Sequence, residues 1–281
     1  MSMLSQLDVA TVNRAAPPGS MRYFACLYAP EEVREVMLAL YVIEAEIRES
    51  AHSVNHDVAH TRLGWWRGEI DRLVNANAQH PATKILSAQS SVPHSTFARL
   101  HELLAAADMD LARMTYANEK ELRAYCSRSM GAVETLIACV LTRAETPPTD
   151  VQTFANTIGI GIRKAEIVRD LRQDACDGRV YLPLDELARN AIEPERLRDR
   201  EIASSLRELL RSFHQHAKQD LSASVDHHHR AAMRPLFVAA ALHGRLLDRI
   251  ATKNYEVATE RVELGPVEKP WTAWRAARKA S

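Results

Sequence analysis

The sequence predicts an all-α protein, a single-domain bundle of helices. Apolar residues recur every three or four positions along most of the chain, whereas no convincing alternating series indicates strands. Hydrophobic residues make up 46% of the 281 positions, which is enough for a large core. We expect about eight to ten helices. The expected organisation is a flexible N-terminus over 1–20, a helical domain over 21–255 and a C-terminal tail over 256–281.

The first strong helix is predicted after Pro30, which together with the acids that follow suits a helix N-terminus. Its apolar stripe consists of Val33, Val36, Met37, Leu40, Ile43 and Ile47. Helices are also predicted in "TRLGWWRGEIDRLV", "STFARLHELLAAADMDLAR" and "NEKELRAYCSRSMGAVETLIACVLTRA". "TPPTD" breaks the chain before a further helix, and "GRVYLPLDELARN" looks briefly extended. After Pro194, helices resume in "LRELLRSFHQHAKQDLSASV" and "MRPLFVAAALHGRLLDRIATK".

Composition restricts the partners and the compartment. Lys plus Arg equals Asp plus Glu at 36 each, so the overall charge gives no support for a nucleic-acid partner. Four cysteines without a CxxC pair indicate reduced, mostly buried thiols in the cytoplasm. The start of the chain lacks a signal-peptide pattern, and the apolar run Leu236 to Leu242 is too short to span a bilayer. We expect a cytoplasmic protein that is soluble or at most membrane-peripheral.

The segment "EIVRDLRQDACDGRVYLP" places acids at helical spacing. Glu166, Asp170 and Asp174 are four residues apart and share one helix face, which Asp177 could join. Like charges at this spacing destabilise a helix, so either basic neighbours or a bound cation must offset them. The other side chains of the segment are rather apolar, which favours a buried helix and therefore a cation. Carboxylates suit Mg²⁺, and Arg179 and Tyr181 would supply phosphate-binding donors.

This segment resembles the second aspartate-rich motif of the squalene/phytoene synthase family, which is close to RDxxxDxxxGRxYLP. The matching residues are Arg169, Asp170, Asp174, Gly178, Arg179, Tyr181, Leu182 and Pro183. Weaker similarity lies in "YAPEEVREVMLALY" and "YCSRSMG". The resemblance covers roughly Tyr23 to Leu187.

The resemblance implies an isoprenoid synthase fold with a central apolar cavity. Two acidic motifs on opposite walls would hold Mg²⁺ and prenyl diphosphates of the farnesyl or geranylgeranyl class, which are joined head to head. It assigns catalytic roles to Asp170, Asp174, Arg179 and Tyr181, with Glu166 as a further metal ligand. Candidate substrate-binding residues are Arg169, Arg179, Tyr181, Arg48 and Tyr41.

The first acidic motif departs from the family pattern. In "ALYVIEAEIRESAHS", Arg48 and Glu49 stand at the double-aspartate positions and His52 at a further one. Glu46 and Glu49 share a face and are the remaining candidate metal ligands of this wall. Glu44 lies some 200° round from Glu46, so it can pair with Arg48 instead. In the second motif, Glu166 replaces a usual Asn and Arg163 a usual Gln.

Two functional hypotheses follow. The intact second motif favours a Mg²⁺-dependent prenyltransferase. The altered first motif, followed by "RLGWWRGEI", resembles the non-catalytic branch of the family, which includes a mitochondrial assembly factor for respiratory complex I. That branch implies a respiratory-complex assembly or lipid-binding protein without turnover. A third alternative is a prenyl-diphosphate binder that uses one metal wall only.

The tail "PWTAWRAARKAS" places Trp271, Trp274 and Arg275 on or near one helix face. Such a face can contact a membrane surface or dock on the body of the protein. Because the segment is short, we predict docking.

Overall fold

A computed structural model describes residue 7 and residues 9–280, and it confirms the all-α prediction, since these residues contain no strand. The helices are α1 Val9–Ala15, α2 Met21–Leu27, α3 Glu31–Ala51, α4 His56–Val74, α5 Pro81–Ala88, α6 Leu100–Leu111, α7 Glu119–Cys126, α8 Ala132–Thr142, α9 Thr149–Cys176, α10 Leu184–Arg189, α11 Ser204–Leu221, α12 His227–Arg230, α13 Arg234–Thr252 and α14 Glu268–Lys279. Short 3₁₀ segments cover His94–Arg99 and Pro194–Arg198, and a π-helical turn covers Ser127–Gly131.

The prediction of eight to ten helices is too low for the described residues. The segment around residues 119–142, predicted as one helix, is divided into α7, the π turn and α8. Residues 179–183, predicted to be extended, form no strand, and the chain enters α10 directly after Pro183. Residues 9–15, predicted to be flexible, form α1, which packs on α3 and contributes the buried Ala15 to the core. The boundaries predicted for the domain remain a prediction.

The central element is α9, which packs against α8, α11, α13 and the π turn. Every residue from Ile158 to Val168 is buried, including the charged ones. The contact with the π turn needs glycine, because a Cβ on Gly159 would lie 2.4 Å from the Met130 carbonyl oxygen. This close approach lets the middle of α9 pass directly beside the turn that follows Tyr125.

The C-terminal tail docks on the body of the protein, as predicted. Helix α14 packs along α13 through the buried Ala273 and Ala277. Arg245 on α13 fixes its first turn by donating from Nε to Glu268 Oε1 at 2.5 Å.

All four cysteines are free, in agreement with the prediction of reduced thiols. Cys126 and Cys139 are buried, whereas Cys176 is exposed. Among the described residues, no helix combines the length and the apolarity needed to cross a bilayer.

Candidate functional site

The acidic stripe of α9 faces inward. Glu166 is 5% exposed and Asp174 is 9% exposed, while Asp170 is half-buried. The 3.6-residue repeat of the helix places all three on one side, as the sequence predicts. The stripe therefore does not face bulk solvent. Each carboxylate needs a partner, because burying an unpaired charge destabilises the folded protein.

Arginines neutralise Glu166. Arg48 Nη2 donates to Glu166 Oε2 at 2.9 Å, and Arg163 Nη1 lies 3.4 Å from the same oxygen. Arg22 Nη2 lies 3.9 Å from Oε1. Burial alone would raise the pKa of Glu166, but the guanidinium charges, with that of Arg169, hold it well below its usual value. This carboxylate is a permanent anion whose charge is already balanced.

Glu44 on α3 completes the same ionic cluster. It contacts Arg48 Nη2 at 2.5 Å through Oε1, which confirms the predicted pairing four residues along the helix. Its Oε2 lies 2.6 Å from Arg22 Nη2. Burial opposes ionisation of Glu44, yet Arg22 and Arg48 lower its pKa. Arg48 thus bridges α3 and α9 through two buried glutamates.

Asp170 is also held by two arginines. Arg169 donates from Nε to Oδ1 at 2.9 Å and from Nη2 to Oδ2 at 2.5 Å. Arg261, from the segment before α14, donates from Nε to Oδ1 at 2.9 Å. Although burial favours the neutral acid, these bonds lower the pKa of Asp170. Unlike Glu166, Asp170 remains half-buried and lies at the solvent side of the stripe.

Asp174 differs from the other two acids. Among the described residues, no side chain donates a hydrogen bond to its carboxylate. Burial is the largest influence and raises the pKa of Asp174 to about 6, with Asp170 and Asp110 acting in the same direction. The charges of Arg163 and Arg48 offset only part of this shift. Asp174 is therefore the carboxylate of the stripe that is free to accept a ligand.

A second acid, Asp110 on α6, lies close by. Tyr181 donates to its Oδ1 at 2.7 Å and Tyr125 donates to its Oδ2 at 3.0 Å. Arg163 donates from Nη2 to the Tyr125 hydroxyl at 2.8 Å, and its guanidinium lies 4.8 Å from the centre of the Tyr181 ring. Tyr181 was predicted to orient a diphosphate, but its hydroxyl group donates its hydrogen bond to Asp110.

His52, at a family aspartate position, borders this group. Its Nε2 lies 3.9 Å from Asp110 Oδ2 and has no hydrogen-bond partner. Burial, followed by the charges of Arg179, Arg48 and Arg163, lowers the pKa of His52 to about 3. The imidazole is therefore neutral at physiological pH, and the contact with Asp110 is not an ion pair.

Gly178 directs Arg179 back towards the stripe. Its φ of +80° is a left-handed conformation that favours glycine, and the Arg179 N–H donates to the Asp174 carbonyl at 2.8 Å. The Arg179 side chain is 7% exposed, and its Nε has no hydrogen-bond partner. Its Nη1 lies 3.8 Å from Asp177 Oδ2. Arg179 thus retains the unused donor capacity expected of a phosphate-binding residue.

The α3 wall does not present the two glutamates predicted to bind metal. Glu46 faces His80, whose Nε2 lies 3.3 Å from Glu46 Oε2. Glu49 is exposed at the border between that side and the arginines. Tyr41 is buried and donates to Glu134 Oε1 at 3.2 Å, so its hydroxyl does not face the α9 acids. Glu46 and Glu49 do share a face, as predicted, because both line a small pocket beside Trp65 and Trp66 of α4. That pocket is not the side of α3 that faces the α9 acids.

A cavity of about 590 Å³ opens beside Glu166. We call it the arginine cleft, since its basic side chains are Arg14, Arg22, Arg48, Arg169, Arg261 and Lys269. His52 and Glu49 also line it, so it adjoins the Asp110 group. The cleft is charged and open, and it is not the central apolar cavity that the resemblance implies.

Three residues of the site are hardly predictable from the sequence. Arg22 and Arg261 reach the site from segments far away along the chain, and no local pattern marks either one. Asp110 leaves a weak signal, because it is an acid among the buried residues of α6, next to Leu111.

Comparisons with known proteins identify the family of the chain. A family model described as squalene/phytoene synthase matches residues 16–268. Phytoene synthase 1 of Zea mays is 23% identical over 254 residues, covering 88% of this chain and 62% of the relative. Phytoene synthase of Arthrospira platensis is 30% identical over 178 residues, covering 57% of this chain and 56% of the relative. The chain thus spans about three fifths of the length of the plant phytoene synthases it matches.

Solved structures share the fold. A dehydrosqualene synthase in complex with ligand superposes with a TM-score of 0.82 at 16% identity, covering 96% of this chain and 95% of that one. The squalene synthase HpnC from Alicyclobacillus acidocaldarius gives 0.72 at 17% identity, with 90% and 99% covered. Together with the family model over residues 16–268, these findings show that the chain belongs to the squalene/phytoene synthase family.

Proposed function

We propose that the protein binds the diphosphate group of a prenyl diphosphate in the arginine cleft and transfers the prenyl group to a second prenyl diphosphate, with release of pyrophosphate. Its family is one of prenyltransferase-type enzymes of isoprenoid biosynthesis. The observation that supports the proposal most is Asp174, a buried carboxylate without a hydrogen-bond donor beside several guanidinium groups. Burying an unpartnered carboxylate is costly, and a bound cation with its phosphate would remove that cost.

The residues present fit Mg²⁺ on one wall only. Asp174 is free, and Asp170 is accessible once Arg169 or Arg261 moves to a phosphate oxygen. Glu166 does not fit, because Arg48 and Arg163 contact its Oε2 and Arg22 lies 3.9 Å from its Oε1, so its charge is already balanced. Mg²⁺ bound at Asp170 and Asp174 would neutralise negative charge on a departing diphosphate.

The chain itself supplies the rest of the electrostatics. Arg48 lies where the resemblance places metal-binding acids, and its guanidinium would stabilise diphosphate oxygens directly. Arg179 would contribute its unpartnered Nε. The substrate class we propose is farnesyl or geranylgeranyl diphosphate.

Pyrophosphate release tests this proposal. Purified protein is incubated with farnesyl or geranylgeranyl diphosphate, with Mg²⁺ or with a chelator. We expect Mg²⁺-dependent release that falls by about a hundredfold or more in Asp174→Asn and Asp170→Ala. Glu46→Gln is the matched control, since Glu46 faces His80, and it should retain activity. An absence of release with either substrate under every metal condition would contradict the proposal.

A second candidate is binding without turnover, as in a respiratory-complex assembly or lipid-binding protein. The specific observation in its favour is that Arg48 closes the α3 wall by pairing with Glu44 and Glu166. A deletion strain with normal polyprenoids and defective respiratory-complex assembly would support this candidate. Normal assembly together with altered polyprenoids would support the enzyme.

A further inference from the structure

Helix α14 has two opposite faces of different chemistry. Its inner face packs on α13 through Ala273 and Ala277. At about 100° per residue, the opposite face carries Trp271, Trp274 and Arg275, with Arg278 continuing it. All four of these side chains are exposed, including 57% of Trp271 and 40% of Trp274.

The exposed face is aromatic and basic. The rings of Trp271 and Trp274 stack with centroids 5.0 Å apart, and the Arg278 guanidinium lies 5.0 Å from the centre of the Trp274 ring. Within residues 9–280, no carboxylate forms an ion pair with Arg275, Arg278 or Lys279. Large aromatic rings and uncompensated positive charge therefore share one side of the helix.

A cavity of about 860 Å³ lies beside this face, between α14, α11 and α13. Trp271, Arg275 and Lys279 form one side of it, and Arg230 lines it from α12. Arg230 donates from Nε to the Lys279 carbonyl at 3.1 Å and has no acidic partner among the described residues. The acids of the cavity, Asp248 and Glu268, are already paired with Lys218 and Arg245. Its unpaired charge is therefore positive.

We propose that this face of α14 docks the protein on a bilayer that contains anionic phospholipids. Tryptophan is favoured at the interface between headgroups and acyl chains, where its ring is apolar and its N–H remains hydrated. Basic side chains near such a surface attract anionic headgroups, and the cavity beside Trp271 gives a headgroup phosphate three cations. This inference is independent of the proposed prenyl-diphosphate function, since it uses none of the residues of the arginine cleft.

Co-sedimentation of the 281-residue protein with vesicles tests the inference. We expect binding to vesicles of phosphatidylcholine mixed with phosphatidylglycerol, weaker binding at high salt, and little binding to phosphatidylcholine alone. Tryptophan emission should shift to the blue on binding. The variant Arg275→Glu/Arg278→Glu should lower the affinity by about tenfold or more, and Trp271→Ser/Trp274→Ser should also weaken it.

Helix α4 provides matched controls, because it also exposes an arginine and a tryptophan. Arg62→Glu and Trp65→Ser should leave vesicle binding unchanged. Circular dichroism of each variant establishes that the fold is intact. Equal binding to neutral and anionic vesicles, no binding to either, or an equal loss in the α4 variants would overturn the inference.

Discussion

The facing helices α3 and α9 carry similar acidic side chains, but these acids have different partners in the folded protein. Both α3 and α9 carry acids at helical spacing. On α9, Asp174 remains without a donor and its pKa rises to about 6. On α3, Glu44 forms ion pairs with Arg22 and Arg48, and Glu46 faces His80 instead of α9. The comparison teaches that spacing decides which acids share a face, whereas cations from distant segments decide which acids can bind a ligand.

The largest change in the free energy of unfolding should come from replacing Arg48 on α3. Arg48→Met removes a charge from between Glu44 and Glu166, both buried, and should lower the free energy of unfolding by about 3 kcal/mol. Urea unfolding at pH 7.5 measures it. Arg62→Met, on α4, is the control, since Arg62 has no ion pair among the described residues. A loss for Arg48→Met no larger than that of the control would mean that Arg22 and Arg163 suffice for the two glutamates.

Replacing Asp174 on α9 should instead increase the free energy of unfolding. The pKa of Asp174 is raised from 3.8 to about 6 in the folded state, so the folded protein holds a proton that the unfolded chain has lost between these values. Stability is therefore reduced above about pH 6 and recovers as the pH falls towards 4. Asp174→Asn should raise the free energy of unfolding by about 2 kcal/mol at pH 7.5 without ligand, and by much less near pH 4.

Asp177→Asn is the control for this variant, because Asp177 is exposed at the end of the same helix. Thermal unfolding followed across the pH range is the measurement. If Asp174→Asn were destabilising at pH 7.5, the carboxylate would have to possess a donor, and the contrast between the walls would disappear.

A smaller loss should follow from changing the turn that positions Arg179. Gly178→Ala places a Cβ at a φ of +80° and 3.3 Å from the Arg113 side chain, and it should cost about 1 kcal/mol. Gly64→Ala in α4 is the matched control. A Cβ there meets nothing within 4 Å, so that variant should be neutral or slightly stabilising. Equal stabilities of the two variants in chemical denaturation would show that the turn tolerates a side chain.

The smallest effect should come from Glu46→Gln. Because Glu46 contacts His80 and not the α9 acids, its replacement should change the free energy of unfolding by less than about 0.5 kcal/mol. Pyrophosphate release by this variant should match that of the parent protein. A strong loss of pyrophosphate release would indicate that Glu46 binds metal. In that case α3 and α9 would not differ in their capacity to bind a ligand.

The sequence predicts the helical fold and the inward acidic stripe, because both depend on residue spacing along one helix. It also predicts the pair of Glu44 with Arg48, which lie one turn apart. It does not predict Arg22 or Arg261, which reach the cleft from other segments. The sequence also does not predict the hydrogen bonds of Tyr41 and Tyr181, because their partners, Glu134 and Asp110, lie far away along the chain. Local chemistry could be read from the chain, but charge compensation across the bundle could not.

The most direct test of the central claim is calorimetric titration with an unreactive thiolo analogue of farnesyl diphosphate. The parent protein and Asp174→Asn are compared, each with Mg²⁺ and with a chelator. Open coordination at Asp174 predicts that Mg²⁺ tightens binding to the parent protein by about tenfold or more and leaves the variant unaffected. An equal response of the two proteins to Mg²⁺, or none in the parent protein, would contradict the account.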